Sequence, residues 1–263
     1  MANNHPESMG EKTFIFIGGV HKSGTSLLHE ILRSHPEISG FSNTGVPEDE
    51  GQLLQSVYPP AFTYGGAGRF GFHEESHMEE HHPLATQENA EALFTQWGQY
   101  WDLNKHYLIE KSPPNILKTR FLQHLFPNSR FIILFRHPIA VAFATRKWRT
   151  TSIPSLIDHT LRCYESFLLD LPLLSGVHLL RYEEFVNDPQ STLQEICSWI
   201  GIKPHSFRYE ITPHINQAYF EQWSDYSGAF RKVHAWEERA NVFGYSLLNP
   251  GQLLPARFMI PDN

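Results

Sequence analysis

The chain has 263 residues, of which 41% are hydrophobic and 13% aromatic, and it carries a formal net charge of −7. That supplies core material for one large domain or two small ones, and the acidic balance argues against a general nucleic-acid or anionic-membrane partner. Two cysteines, Cys163 and Cys197, cannot build a disulfide framework, and each lies in an apolar helical pattern that reads as a small buried residue. Met1 to Thr13 is polar, residues 1–12 are expected to form a flexible N-terminus, and no apolar signal core is seen. No stretch has the apolar length that spans a bilayer, so the expected setting is a reducing cytoplasm.

The first element sets the theme. Phe14 to Ile17 is a short apolar run ended by Gly18 and Gly19, the pattern of a buried strand. After Gly24, Leu27, Leu28, Ile31 and Leu32 recur at helical spacing. Strand, glycine turn and helix together aim free backbone N–H groups and the positive helix end at an anion. Lys22, Ser23, Thr25 and Ser26 stand where they add charge and hydroxyl donors. This differs from the nucleotide-triphosphatase P-loop, in which lysine directly follows the second glycine. Here Thr25 follows Gly24, and the lysine comes two residues earlier. A glycine turn with chance hydroxyls is the alternative, but strand, glycines, lysine, hydroxyls and helix all agree.

Pro36 ends the first helix, and Ile38 to Gly51 reads as a loop closing in Val46-Pro-Glu-Asp-Glu-Gly51. Three acids beside an anion-binding loop repel its ligand unless one of Glu48, Asp49 and Glu50 serves as a base. The same residues behind Pro47 also suit the first turn of a helix backed by Leu53, Leu54 and Val57, and both readings stand. Tyr58 to Phe72, rich in Pro, Gly and aromatics, reads as a long irregular loop that could line an acceptor pocket. On a helix, His73, His77 and His81 would share one face at a spacing able to bind zinc. No metalloenzyme signature accompanies them, so a solvated, charge-mixed segment is the default and no metal is expected.

Gln87 to Leu103 reads as a helix with Ala90, Leu93, Phe94 and Trp97 on one face. His106 to Lys111 reads as a strand stopped by Pro113-Pro114, with Glu110, Lys111 and Ser112 at its carboxyl end, where ligands of open parallel sheets bind. A helix over Asn115 to Leu125 follows. Arg130-Phe-Ile-Ile-Leu-Phe-Arg136 is the clearest buried strand, and Pro138 opens the next helix. An arginine at that strand end suits a phosphate, with a structural salt bridge as the alternative. Ser155 to Leu174 is an amphipathic helix, Val177 to Tyr182 a strand, and a helix then runs to Trp199. Gly201 to Asn263 is aromatic and irregular and is expected to pack on the sheet. The order specifies one doubly wound α/β domain, residues 1–263, with a parallel sheet.

Several of these stretches resemble one family, the sulfotransferases that use 3′-phosphoadenosine 5′-phosphosulfate (PAPS). His21-Lys-Ser-Gly-Thr-Ser26 resembles their 5′-phosphosulfate loop, which implies donor binding by Lys22, Ser23, Gly24, Thr25 and Ser26. Phe135-Arg-His-Pro138 resembles the 3′-phosphate strand and helix, implying Arg136 on that phosphate. Arg181-Tyr-Glu-Glu-Phe185 resembles the family's Tyr-Glu-Asp-Leu segment, implying Tyr182 near the adenosine. Glu110-Lys-Ser-Pro113 resembles the active-site strand end, implying that Lys111 assists sulfate transfer beside Lys22. The resemblance spans residues 14–37 and 106–200. Two positions depart from it. The serine that usually follows the arginine by eight residues is Ala144; either Thr145 beside it substitutes or the 3′-phosphate is held differently. The catalytic histidine of the cytosolic small-molecule branch is Pro113. The pattern is therefore closer to the tyrosylprotein and bacterial branches, where a glutamate after the first helix acts as base. That position falls at Ser42 or Asn43, and Glu48, Asp49 and Glu50 are the nearest acids. The implied activity is metal-independent transfer of a sulfuryl group to a hydroxyl or amine of a small-molecule acceptor. The rivals are an ATP-dependent small-molecule kinase and a nucleotide-binding protein without catalysis. Nothing in the sequence bears on oligomeric state.

Overall fold

The computed structural model describes residues 9–148, 150–212, 214–226 and 230–258. Its centre is a five-stranded parallel sheet. In chain order the elements begin with β1 (Thr13–Gly19), α1 (Thr25–Leu32), β2 (Ile38–Gly40), α2 (Gln87–Trp97), β3 (Tyr107–Lys111) and α3 (Thr119–Leu125). They continue with β4 (Ser129–Phe135), α4 (Pro138–Arg146), α5 (Ile153–Asp170), β5 (Val177–Arg181) and α6 (Tyr182–Asn187). The last are α7 (Pro189–Ile200), α8 (Gln217–Ser224) and α9 (Phe230–Val242). The strands lie in the order β2-β3-β1-β4-β5.

Alternation along the strands divides the core in two. Phe14 and Phe16 of β1, with Phe131, Ile133 and Phe135 of β4, face a layer that includes α2, α4 and α5. Ile15 and Ile17, with Ile132 and Leu134, face α1 and α7. The first layer is aromatic: Phe14 meets Phe126 at 4.5 Å between ring centroids, and Phe16 meets Phe131 at 5.7 Å. All seven residues of β1 are buried, as an inner parallel strand requires. The chain leaves β1 toward β2 and β3 on one side and returns to β4 on the other. The carboxyl end of β1 is thus the point where strand order reverses, and a crevice opens there.

The doubly wound parallel sheet agrees with the sequence reading, and several local readings change. β2 lies inside the stretch read as loop; three residues against β3 are too short to show a period. Pro47–Asp49 forms one 3₁₀ turn and not a helix start, because Glu48 and Asp49 adopt left-handed backbone, φ 56° and 50°. The α2 helix stops at Trp97, before Gly98, rather than at Leu103. Pro113–Leu117 is a 3₁₀ turn separated from α3 by Lys118, whose buried ammonium turns to the Ser76 carbonyl at 3.3 Å. After Asp170, Pro172 allows only a 3₁₀ turn. The loop from Tyr58 carries two 3₁₀ turns, Ala61–Tyr64 and Phe70–Phe72. The last sixty residues hold α8 and α9 rather than irregular chain.

Residues 1–8 of the expected flexible N-terminus lie outside the described residues. Met9–Glu11 form a 3₁₀ turn, and the buried Lys12 donates to the carbonyls of Leu103 (2.7 Å) and Lys105 (3.1 Å). The histidine-rich stretch forms only one 3₁₀ turn, Glu74–Ser76, and no α-helix, so His73, His77 and His81 do not line up on one helical face. His77 instead meets Asp170 at 2.8 Å, and Arg120 pairs with Glu79 (2.8 Å), Glu80 (2.6 Å) and Asp170 (3.5 Å). The His77, Glu79 and Asp170 ligand atoms lie within 4.8 Å of one another, and both acids already pair with the Arg120 guanidinium. No helix among the described residues is long and apolar enough to cross a membrane.

Candidate active site

A cavity of about 650 Å³ lies outside the carboxyl ends of β1, β3 and β4. One wall is the β1–α1 loop with Arg136 and Tyr182; the other is drawn from residues 47–67.

Close packing shapes the first wall. A Cβ on Gly18 would meet the backbone nitrogen of Ile116 at 2.8 Å, and one on Gly19 the carbonyl of Leu134 at 2.8 Å. Gly24 has φ +103°, and a side chain there would meet the Tyr182 ring at 2.5 Å. The loop closes through Ser23 N–H on the Val20 carbonyl at 3.0 Å, and α1 begins at Thr25. The first-turn amides of α1 have no partners inside the helix and open toward the cavity with Thr25 and Ser26. Ser23 lies fully buried beneath the loop, its hydroxyl without a partner among the described residues. Free amides, the Thr25 and Ser26 side chains and a glycine-tight turn fit an oxyanion such as phosphosulfate.

Lys22 adopts φ 70° and holds its ammonium 3.2 Å from the centroid of the Trp148 ring. Burial lowers its pKa; nearby Glu48 opposes the shift, and Arg136 and Lys147 add to it. Arg136, just past β4, is almost wholly buried. Its guanidinium stacks 4.1 Å from the Tyr182 centroid and donates to the Lys22 carbonyl at 2.7 Å and twice to Asn216 Oδ1, at 3.1 and 2.6 Å. Asn216 is set in turn by Glu183, which accepts from Asn216 Nδ2 (2.7 Å), the His137 amide (3.0 Å) and the Tyr245 hydroxyl (3.0 Å). The alternative of a structural salt bridge for Arg136 finds no carboxylate: its described polar partners are a carbonyl and a carboxamide.

The three acids go three ways. Asp49 turns from the cavity and accepts from the Thr44 amide (2.9 Å) and hydroxyl (2.7 Å). Burial raises its pKa, but these bonds outweigh that and hold it low. Glu48 is exposed on the cavity wall. Glu50 also lines the cavity but is buried, and burial raises its pKa against the pull of Lys111 and Gln52. Lys111 does not line the cavity. Its fully buried ammonium donates to the Glu48 carbonyl at 2.7 Å and lies 3.6 Å from the Glu50 carboxylate. It therefore stands behind the acidic loop rather than on the cavity surface. Thr145 is also turned elsewhere, buried against His21, Gly68 and Leu156.

Four side chains not singled out as site residues in the sequence shape this region. Gln52 donates from Nε2 to Glu50, accepts the Ala61 amide at 2.8 Å on Oε1, and donates its own amide to Ser112 Oγ at 2.9 Å. Glu110 is fully buried, accepts from Ser112 Oγ (2.6 Å) and Asn115 Nδ2, and has its pKa raised to about 7 by burial. Its signal in the sequence was its place at the carboxyl end of a strand, in the Glu110-Lys-Ser-Pro113 stretch. Asn216 and Trp148 gave none. Leu53, Ala61, Ala67, Pro113 and the strongly exposed Phe62 add apolar surface to the cavity beside Glu48, Glu50 and Gln52.

A family model described as "Sulfotransferase family" matches residues 15–206. Among curated proteins the chain is similar to protein-tyrosine sulfotransferase 2 of Gallus gallus, 24% identical over 215 residues, covering 76% of this chain and 54% of the relative. It is similar to nodulation protein NoeE of Sinorhizobium fredii, 24% identical over 225 residues, with 72% and 50% covered. The chain thus spans about half the length of these relatives. Among solved structures it superposes on the sulfotransferase domain of the Synechococcus PCC 7002 olefin synthase with TM-score 0.53, 20% identity, and 92% and 97% of the two chains covered. The sulfotransferase from Alicyclobacillus acidocaldarius gives TM-score 0.52 at 17% identity, with 88% and 96% covered. At such identities the likeness shows a shared fold.

Proposed function

Because the chain belongs to the sulfotransferase family, we propose that it moves a sulfuryl group from PAPS to a hydroxyl of a small, largely apolar acceptor. The observation that carries this reading is one cavity with an oxyanion cradle and two cations on one wall, and buried Glu50 with Gln52, exposed Glu48 and several apolar residues on the other. When bound, the donor supplies a sulfuryl group whose bond to the 5′-phosphate oxygen breaks as one to the acceptor oxygen forms. The α1 amides with Thr25 and Ser26 hold the phosphosulfate end, Ser23 supports the loop from beneath, and Gly24 lets the backbone come close enough. Lys22 leaves its weak contact with Trp148 to meet charge gathering on the leaving oxygen. Arg136 and Tyr182 hold the nucleoside end. The fixed positive charge of the loop and Lys22 makes a metal unnecessary.

Glu50 is the base in this reading. Its raised pKa brings it closer to neutrality, and the acceptor proton passes to its carboxylate. Lys111 and Gln52 orient it, Asp49 is spent on Thr44, and Glu48 guides charge at the rim. A cavity of about 650 Å³ suits a small molecule. The relatives named for tyrosine sulfation make a phenol the first acceptor to try. The test is incubation with ³⁵S-labelled PAPS and 2-naphthol, then a panel of phenols and alcohols, without magnesium. A labelled ester is the expected product. Tight nucleotide binding without transfer to any acceptor would point to a binding protein, and magnesium-dependent phosphate transfer from ATP to a kinase.

A further inference from the structure

The donor of the preceding reading, on which this inference rests, carries a 3′-phosphate with close to two negative charges. Arg136 answers with one positive charge, and three of its five N–H groups are already given to Asn216 and Lys22. The hydroxyl expected on α4 is missing: residue 144 is alanine, and Thr145 faces His21 and Leu156. A second cation and a donor must come from elsewhere.

We propose that Lys147 and Tyr219 complete, with Arg136, the site for the 3′-phosphate of the nucleotide. The Arg136 guanidinium and the Lys147 ammonium share the Tyr219 ring, at 6.0 and 5.0 Å from its centroid. Lys147 Nζ donates to the Tyr219 oxygen at 3.1 Å, which leaves the phenolic hydrogen to donate. Tyr219 is 7% exposed and held in α8, one turn from the Asn216 that grips Arg136. Lys147 caps the end of α4, directly before Trp148 of the cavity wall. Its charge reaches the donor loop, since it is among the causes that lower the Lys22 pKa. A lysine at a helix end also favours the helix dipole, a purely structural role that would confer no preference for a 3′-phosphate.

The experiment is calorimetric titration with adenosine 3′,5′-bisphosphate and with adenosine 5′-phosphate, without magnesium; their affinity ratio isolates the 3′-phosphate. The unaltered protein should prefer the bisphosphate. Lys147→Met should cut that preference about tenfold while leaving 5′-phosphate affinity within about twofold, and Lys147→Arg should restore it. Tyr219→Phe, which keeps the ring, should shift the ratio the same way by less. An unchanged ratio in Lys147→Met, or equal loss of both affinities, overturns the assignment. So does a collapsed ratio in Thr145→Ala with Lys147→Met intact. If the unaltered protein binds neither nucleotide, the donor reading itself fails.

Discussion

The proposed donor side and acceptor side of the cavity are held in shape by different means. The donor side is backbone geometry: a strand end, a left-handed glycine and the first turn of a helix, backed by a ring that leaves no room for a Cβ at residue 24. The acceptor side has short turns in place of long helices, and polar side chains distant in sequence brace it. Trp97 Nε1 donates to the Gly51 carbonyl at 2.9 Å, Gln52 ties Glu50 to Ala61, and Ser112 carries the tie to buried Glu110. Backbone sets a shape that only a few residue types disturb. A braced loop depends on each partner of a buried network and on its charge state.

The largest expected effect is chemical and belongs to the donor side. Lys22→Ala should slow labelled sulfate transfer by about 2–4 kcal/mol of transition-state stabilisation with little change in thermal midpoint. Full turnover would remove Lys22 from the account. Next comes a pH effect on the acceptor side. Glu110 has a folded pKa of about 7 against an unfolded 4.5, so between these values the folded protein keeps a proton that the unfolded chain has lost. Its contribution to stability is therefore present at low pH and falls as pH rises through that window, by about 3 kcal/mol in all. Urea unfolding at pH 5 and pH 8 should show Glu110→Gln gaining on the unaltered protein by up to that amount. A constant difference would mean that the acid does not brace this wall as a neutral group.

Gly24→Ala tests the donor side as backbone. Its φ of +103° and the Tyr182 contact should cost about 1–3 kcal/mol of stability, read by urea unfolding, and nucleotide affinity should fall with it. An alanine variant that binds normally would show that the loop tolerates a side chain. Smallest is Asp49→Ala, which frees Thr44 in a partly exposed loop. A loss of about 0.5–1 kcal/mol in urea unfolding is expected, as for other local caps, with less than fivefold change in turnover. A larger fall in turnover would return Asp49 to the chemistry.

Legibility in the sequence followed the same division. Phe14 to Leu32 and Arg130 to Pro138 could be read because strand period, glycines and helix spacing are all local signals, and the parallel α/β architecture followed from their order. The acidic triplet could be seen, but the distinct places of Glu48, Asp49 and Glu50 depend on left-handed backbone at two of them and on Lys111, some sixty residues away. Gln52 resembles any loop glutamine until Ser112 and Ala61 are brought to it. Asn216 lies eighty residues from Arg136 and is reached only through the fold. The short strand β2 and the broken helix at Lys118 escaped notice because their partners, β3 and Ser76, lie far along the chain.

The most direct test of the central claim, that this cavity holds a PAPS-type nucleotide, is calorimetry of the unaltered protein with adenosine 3′,5′-bisphosphate beside ATP, without magnesium. The account predicts micromolar binding of the bisphosphate and none of ATP. Binding of ATP instead, or of neither, would contradict it.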